Sequence, residues 1–451
     1  MTDSTLFWNQ VALDAVKIDF STDKPDDHLV PQQGGPTRTS RALAIVHLAM
    51  YDAFAATSNP PLPTYLTYTP ADLPSLKNGI VARVAVSSAA CLALTDLYSK
   101  QAARLQSEHQ DFTAMLGATN AEMQAGITWG SLVATTMLAS RANDGSGASE
   151  AAYAPSPLPG AHRVDPVNPT HGFLGPLWGK VDPFGIKNLV STVPTEPPPV
   201  LTDQLYTDDY NKVLKMGVAS GSTRTPHQTS VGLFWAYDGG RNIGVPPRLY
   251  NQVVRAISEK HASSEIQNAK LFAVINVAMA DAGIQAWAEK YKYNFWRPVL
   301  GIREADSGWG PTGIGDGNVG TTGDPYWLPL GAPATNQPAR SAFTPPFPAY
   351  PSGHATFGTA ALIATSKVLA IPLTFAFDFV SDELDGLAVG ATGLRAKLKR
   401  SLTIAQAIEE NILSRVYLGV HWEFDCREGE RAGDFIGTEV AATFPKDPKK
   451  P

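Results

Sequence analysis

Three separated segments of this 451-residue chain place cations, a serine and histidines at spacings suited to anion chemistry. The first is KYKYNFWRP, where Lys290 and Arg297 lie seven residues apart, two turns of any helix that persists between them. Counting back from Lys290 at helical spacing gives Ala286, Gly283, Met279, Ile275 and Phe272. That stripe is apolar, so Lys290 points into the protein. Taken alone, such a lysine reads most simply as a snorkelling side chain near a helix end. Pro298 disfavours helix at Arg297 and marks the end of the element. Arg415 repeats the pattern, continuing the phase of Ile404, Ile408 and Ile412. Three inward cations need partners, because unpaired buried charge is very costly. Structural carboxylates could serve, with Asp238 and Asp281 as candidates. The alternative is a bound oxyanion, for which guanidinium forks are natural receptors.

The second segment, YPSGHATFGTAAL, favours the anion. Pro351 and Ser352 precede a helical pattern that begins near Gly353, which puts Ser352 at the N-cap. Free backbone N–H groups at a helix start attract anions, and Gly353 permits close approach of the backbone. His354 falls in the first turn and is an acid–base candidate. The third segment is SRVYLGVHWEFD. Gly419 is expected to break the helix carrying Arg415, so that His421 opens a new one with Asp425 four residues on, on the same face. A carboxylate on one imidazole nitrogen fixes the tautomer and raises the basicity of the other.

In order, the segments read Lys-x6-Arg-Pro, Pro-Ser-Gly-His and Ser-Arg-x5-His-x3-Asp. This pattern resembles the signature of the vanadium-dependent haloperoxidases and of the related soluble acid phosphatases in the type-2 phosphatidic acid phosphatase superfamily. The gap between the second and third blocks, residues 355–413, is long and implies an inserted loop. The resemblance implies that His421 bonds the central atom of the oxyanion, vanadium in a peroxidase or phosphorus in a phosphatase. Lys290, Arg297, Ser352, Gly353 (through its N–H) and Arg415 would bind the equatorial oxygens. His354 would act as acid–base residue beside the apical oxygen, and Asp425 would orient His421. Asp238, in FWAYDGG, would pair with an arginine. Length, texture and the stretch TPPFPAYPSGHATFG favour the haloperoxidases, which implies vanadate as cofactor and hydrogen peroxide and halide as substrates. The alternative is an acid phosphatase with a phosphohistidine intermediate, and a non-catalytic oxyanion binder comes last. Phe347, seven residues before His354, and Trp287, three before Lys290, resemble the fungal-type chloroperoxidases and would wall a halide pocket. They imply chloride oxidation at acidic pH, with bromide oxidised faster over a wider range.

The elements that must position these residues are mostly helical. Helical spacing recurs near residues 39–57, 77–100, 120–143, 203–217, 247–261, 264–292, 353–370 and 395–416, while strand signals are scarce. The resemblance likewise implies an all-α fold built on four-helix bundles. We expect an N-terminal helical half, 1–200, that opens with an extended polar arm, and a C-terminal bundle, 201–451, that carries the site. The Pro- and Gly-rich segment 144–200 is either a linker or a belt. In the irregular stretch 299–350, Gly315, Gly317 and Gly320 match a nucleotide-binding spacing, but no strand precedes them and no helix follows.

Composition sets outer bounds. Charged residues are 17% of the chain, below the ~25% of an average soluble domain. Such a charge-poor surface hints at a homo-oligomer, and 43% hydrophobic residues supply a large core. The net charge of −6 argues against nucleic-acid and anionic-membrane binding. Two cysteines, Cys91 and Cys426, exclude a disulfide scaffold and a thiolate metal cluster. No uninterrupted apolar run reaches membrane-spanning length. MTDSTLFWNQ lacks the features of a secretory signal, so a soluble, cytoplasmic protein is the default expectation.

Overall fold

A computed structural model describes residues 2–21, 31–58, 60–148 and 153–445. The first half contains α1 (Ser4–Asp19), α2 (Gly35–Thr57), α3 (Gly79–Leu97), α4 (Ala102–Ala114), α5 (Asn120–Arg141) and the short α6 (Leu189–Thr192). The second half contains α7 (Gln204–Met216), α8 (Pro226–Phe234), α9 (Pro246–His261), α10 (Glu265–Tyr293), α11 (Pro298–Arg303) and α12 (Gly353–Leu369). Two small antiparallel pairs follow: β1 (Ala376–Val380) with β4 (Lys399–Thr403), and β2 (Val389–Gly390) with β3 (Gly393–Leu394). The chain ends with α13 (Ile404–Tyr417) and α14 (Glu423–Thr443).

Helix α10 is the axis of the molecule. It packs on α2 from the first half and on α12 and α14 from the second. One apolar core therefore runs through both halves, from Leu43 and Val46 through Phe272 and Met279 to Ala360 and Ile436. α3 and α10 are long and apolar enough to cross a membrane, but α10 is 94% buried inside the fold and α3 72%. The segment 153–200 is a belt: Phe184, Gly185 and Ile186 hydrogen-bond through their N–H groups to Asp281 on α10.

The closest helix pair positions the site. Gly429, Gly433 and Gly437 lie four residues apart on α14 and press against α12. A Cβ at each would come within 2.6 Å of the carbonyl oxygens of Ser352, Thr356 and Ala360 respectively. Only glycine permits that approach. It brings the N-terminus of α12 against the first turn of α14, where Ser352 N donates to the Asp425 carbonyl at 2.8 Å.

Two local expectations change. The N-terminal arm is not extended over residues 4–19 but forms α1, capped by Asp3. Trp8, Val11, Ala12, Ala15 and Val16 recur at helical spacing there and are buried, so packing fixes a segment whose polar residues suggest an arm. Residues 22–30 lie outside the described residues. The insertion before the third motif contains the β-pairs, and α13 starts at Ile404 because 399–403 pairs with β1.

Candidate active site

The motif residues converge where α10, α12, α13 and α14 end. Helix α10 stops at Tyr293, with Asn294 in the left-handed region (φ 51°). Arg297 is then the N-cap of α11, as Pro298 requires. The side chains of Lys290 and Arg297 nevertheless reach one locus, because both bond the 347–351 segment. Lys290 Nζ donates to the carbonyls of Pro348 (2.8 Å), Ala349 (2.9 Å) and Pro351. Those three acceptors match the three protons of an ammonium, so Lys290 ties this segment to α10. Arg297 Nε donates to the Phe347 carbonyl (2.9 Å) and Nη1 to the Val420 carbonyl (2.7 Å).

His421 and Asp425 meet, though not as a helical i,i+4 pair. His421 precedes α14, whose N-cap is Trp422. Asp425, at the third position of α14, folds back to accept from Trp422 N (3.0 Å) and from His421 Nδ1 (3.0 Å). This places the proton on Nδ1 and leaves a lone pair on Nε2, which faces Arg297 Nη1 at 2.8 Å. Asp238 takes Arg415 bidentately, Nη2–Oδ1 being 2.8 Å and Nη1–Oδ2 3.2 Å. The other candidate carboxylate, Asp281, is occupied with the belt and touches none of these cations.

His354 stands at the start of α12 with Nε2 2.6 Å from the Ala236 carbonyl. A carbonyl only accepts, so Nε2 carries the proton and Nδ1 keeps the lone pair. Asp238 Oδ1 lies 3.8 Å from Nε2. Burial, and then the charge of Arg415, push the imidazolium of His354 far below its ordinary range. Burial and Arg297 do the same to His421. Burial, reinforced by Arg297, also lowers Lys290. Burial drives Asp425 upward against the pull of Lys290 and Arg297. The site thus gathers three basic side chains, Lys290, Arg297 and Arg415, beside the carboxyls of Asp238 and Asp425.

Several donors remain open. Arg297 Nη2, Arg415 Nε and Ser352 Oγ are buried without a hydrogen-bond partner, and the Cys426 thiol is the polar neighbour of that hydroxyl. Ser352 is the N-cap by backbone geometry, yet its side chain makes no cap bond. Open donors on two guanidiniums and a serine, beside a helix N-terminus and an imidazole lone pair, fit a tetrahedral oxyanion bonded through one nitrogen. They do not fit a cation cage, and no group of three His, Cys, Asp or Glu side chains suited to a metal ion occurs among the described residues.

Arg415, His421, Gly353 and His354 open onto a cavity of about 370 Å³. Trp287 and Phe347 form one wall, with ring centroids 4.7 Å apart. Phe347 also faces the charges behind it, 5.0 Å from the Arg297 guanidinium and 5.2 Å from Lys290 Nζ. Sequence reasoning missed the Ala236 carbonyl, Cys426 and the cavity-lining Leu174 and Phe343, none of which carries a motif. It also missed the glycine stripe of α14, whose four-residue spacing was a readable signal.

Comparison with known proteins assigns the chain to a family. Residues 2–177 match the vanadium chloroperoxidase N-terminal domain, and residues 270–446 match the second helical-bundle domain of the same enzyme family. The chain is 32% identical over 508 aligned positions to vanadium chloroperoxidase of Curvularia inaequalis, covering 94% of this chain and 79% of that protein. Its fold is similar to that of a bacterial vanadium-dependent iodoperoxidase (TM-score 0.74, 20% identity, 98% of this chain and 97% of that one). It is also similar to that of a holo-type bacterial vanadium-dependent chloroperoxidase (TM-score 0.68, 14% identity, 94% and 96%). With two domain models and a full-length relative in agreement, the chain belongs to the vanadium chloroperoxidase family.

Proposed function

We propose that this protein is a vanadate-dependent haloperoxidase that oxidises halide with hydrogen peroxide to hypohalous acid, taking both chloride and bromide. The observation that carries the reading is the set of open buried donors around the His421 Nε2 lone pair. Vanadate, when bound, supplies a Lewis-acid centre that activates peroxide while staying at one oxidation state. Everything else is the work of the chain. His421 offers Nε2 once Arg297 Nη1 yields it, and Asp425 holds the proton on Nδ1. Arg297 Nη2, Arg415 Nε, Ser352 Oγ and the Gly353 N–H donate to the anionic oxygens. Asp238 fixes the plane of the Arg415 fork so that Nε points inward.

His354 Nδ1 is the base that takes a proton from incoming peroxide. Burial and the nearby Arg415 charge keep it neutral, and so able to accept, well into the acidic range. Lys290 lends its charge from behind the 348–351 segment, and it reaches a bound oxygen only by exchanging one of its carbonyl partners. Trp287 and Phe347 keep the halide approach dry, which strengthens every electrostatic effect at the site. Asp425, Asp238, Trp287 and Phe347 thus act through orientation and exclusion of water, while His421, His354, Arg297, Arg415, Ser352 and Gly353 touch the reacting group.

The test is halogenation of monochlorodimedone with peroxide and bromide or chloride, after reconstitution with orthovanadate. Hydrolysis of p-nitrophenyl phosphate is measured in parallel without vanadate. Halogenation that strictly requires vanadate is expected. Robust phosphate release with no halogenation would replace this reading by the phosphatase one.

A further inference from the structure

The cavity over the anion cradle is larger than its small substrates need. A halide and a peroxide each occupy about the volume of a water, ~30 Å³, against about 370 Å³ available. The excess has the size of a small organic ligand site. Beyond Trp287 and Phe347 its walls are apolar, formed by Leu174, Val245, Phe343, Pro345 and Pro346. Phe20 and Pro36 bring the first half of the chain to its rim.

One cation also lines the cavity away from the cradle. Arg340 is exposed and makes no ion pair with a carboxylate among the described residues. It is nevertheless placed. Its Nη2 lies 2.8 Å from His171 Nε2, and its guanidinium sits 5.7 Å from the Phe343 ring centroid. An arginine only donates, so His171 Nε2 accepts and leaves the arginine charge uncompensated by that contact. His171 and Phe343 meet edge to face, their centroids 5.3 Å apart. A held cation beside an apolar chamber suits a ligand with an anionic edge and a flat apolar body.

We propose that this cavity, with Arg340 at one end and His354 and His421 at the other, binds an aromatic carboxylic acid with a phenol-activated ring as acceptor of the oxidised halogen. The carboxylate pairs with Arg340 and the ring lies between Phe343 and the Trp287–Phe347 wall. In the transfer, hypohalous acid made at the cradle gives its halogen to a ring carbon. The carbon–halogen bond forms as the oxygen–halogen bond breaks, and the ring proton leaves with the released hydroxide as water. The transfer step rests on the haloperoxidase reading, whereas the binding step does not.

Isothermal titration of the vanadate-loaded protein with 2,4-dihydroxybenzoate, and separately with resorcinol, tests the binding. Saturable binding of the acid is expected, about tenfold tighter than resorcinol, as one charge-assisted contact allows. Arg340→Gln is expected to erase that difference. Absence of saturable binding of the acid, or an affinity for the acid that Arg340→Gln leaves unchanged, would overturn the proposal. Bromination of the same acid is then compared with its bromination by free hypobromous acid. A changed ratio of ring isomers is expected, and an identical ratio would overturn the acceptor role. Loss of binding with halide oxidation intact defeats this proposal alone. Absence of halide oxidation in the wild type defeats the reading beneath it.

Discussion

Asp281 and Lys290 are buried charges nine residues apart on α10, and they belong to regions built on opposite rules. Asp281 is complete. Its oxygens accept from the N–H groups of Phe184 (2.6 Å), Gly185 (2.8 Å) and Ile186 (2.9 Å). Asp52 in the first half follows the same rule, accepting from Tyr65 N, Leu66 N and Tyr68 Oη. Around Lys290 the cradle is incomplete, because Arg297 Nη2, Arg415 Nε and Ser352 Oγ have no partner in the chain. Leaving buried donors open costs stability, and a cluster of them on two guanidiniums and a serine, beside an imidazole lone pair, is what an acceptor from outside the chain would complete. Asp281 and Asp52 hold the fold together, whereas the clustered open donors mark the candidate ligand site.

Breaking a completed site gives the largest effect. Asp281→Ala orphans three N–H groups, those of Phe184 and Ile186 buried, and is expected to lower stability by about 4 kcal/mol, measured by urea unfolding. A loss under about 1 kcal/mol would remove the contrast with the cradle.

The next effect is a pH dependence in the completed region. His47 donates from Nδ1 to the Leu43 carbonyl (2.7 Å) and accepts at Nε2 from Asn9 Nδ2 (2.9 Å). Burial lowers its pKa from 6.5 to about 4. The folded state thus binds fewer protons than the unfolded one in that window. The contribution of His47 is full above pH 6.5 and is lost as pH falls toward 4. At about 1.4 kcal/mol per pH unit, it is expected to cost about 3 kcal/mol across the window. Urea unfolding between pH 7 and 4, about the histidine range, should show a shallower decline in His47→Gln. An unchanged slope would place the acid sensitivity elsewhere.

Ser352→Ala sharpens the comparison from the open side. It removes a buried hydroxyl whose polar neighbour is the weakly bonding Cys426 thiol, so stability should hold within about 0.5 kcal/mol while vanadate affinity falls by about 1 kcal/mol, or about fivefold. A drop in stability with unchanged affinity would make Ser352 an ordinary structural residue. The smallest expected effect is at the wall. In Phe347→His and Trp287→Ala, chloride turnover should fall a few-fold more than bromide turnover, since a wetter site weakens the cradle's field. Equal losses for the two halides would show that these rings do not tune selectivity.

Much of the cradle was legible because its chemistry is local. Arg297 before Pro298, Ser352 before a helix start, and the order of the three motifs are each written in a few residues. What was not legible depends on distant segments meeting. The carbonyl partners of Lys290 arrive from 58 to 61 residues away, and that of His354 from 118. The capping role of Asp425 depends on where α14 starts, and Gly419 alone did not fix that. Helix α1 was obscured because its polar residues, such as Asn9, are absorbed by a buried network with His47 and Asn251 rather than by solvent. Arg340 carries no motif, and its setting exists only once Phe343 and His171 are brought together.

The central claim is that the open donors and the His421 lone pair form one oxyanion receptor. Equilibrium dialysis of orthovanadate against the wild type and His421→Ala tests it most directly. One tightly held vanadium per wild-type chain is expected, and in the variant only a labile anion that gel filtration strips away. Stoichiometric vanadium retained by His421→Ala would contradict it.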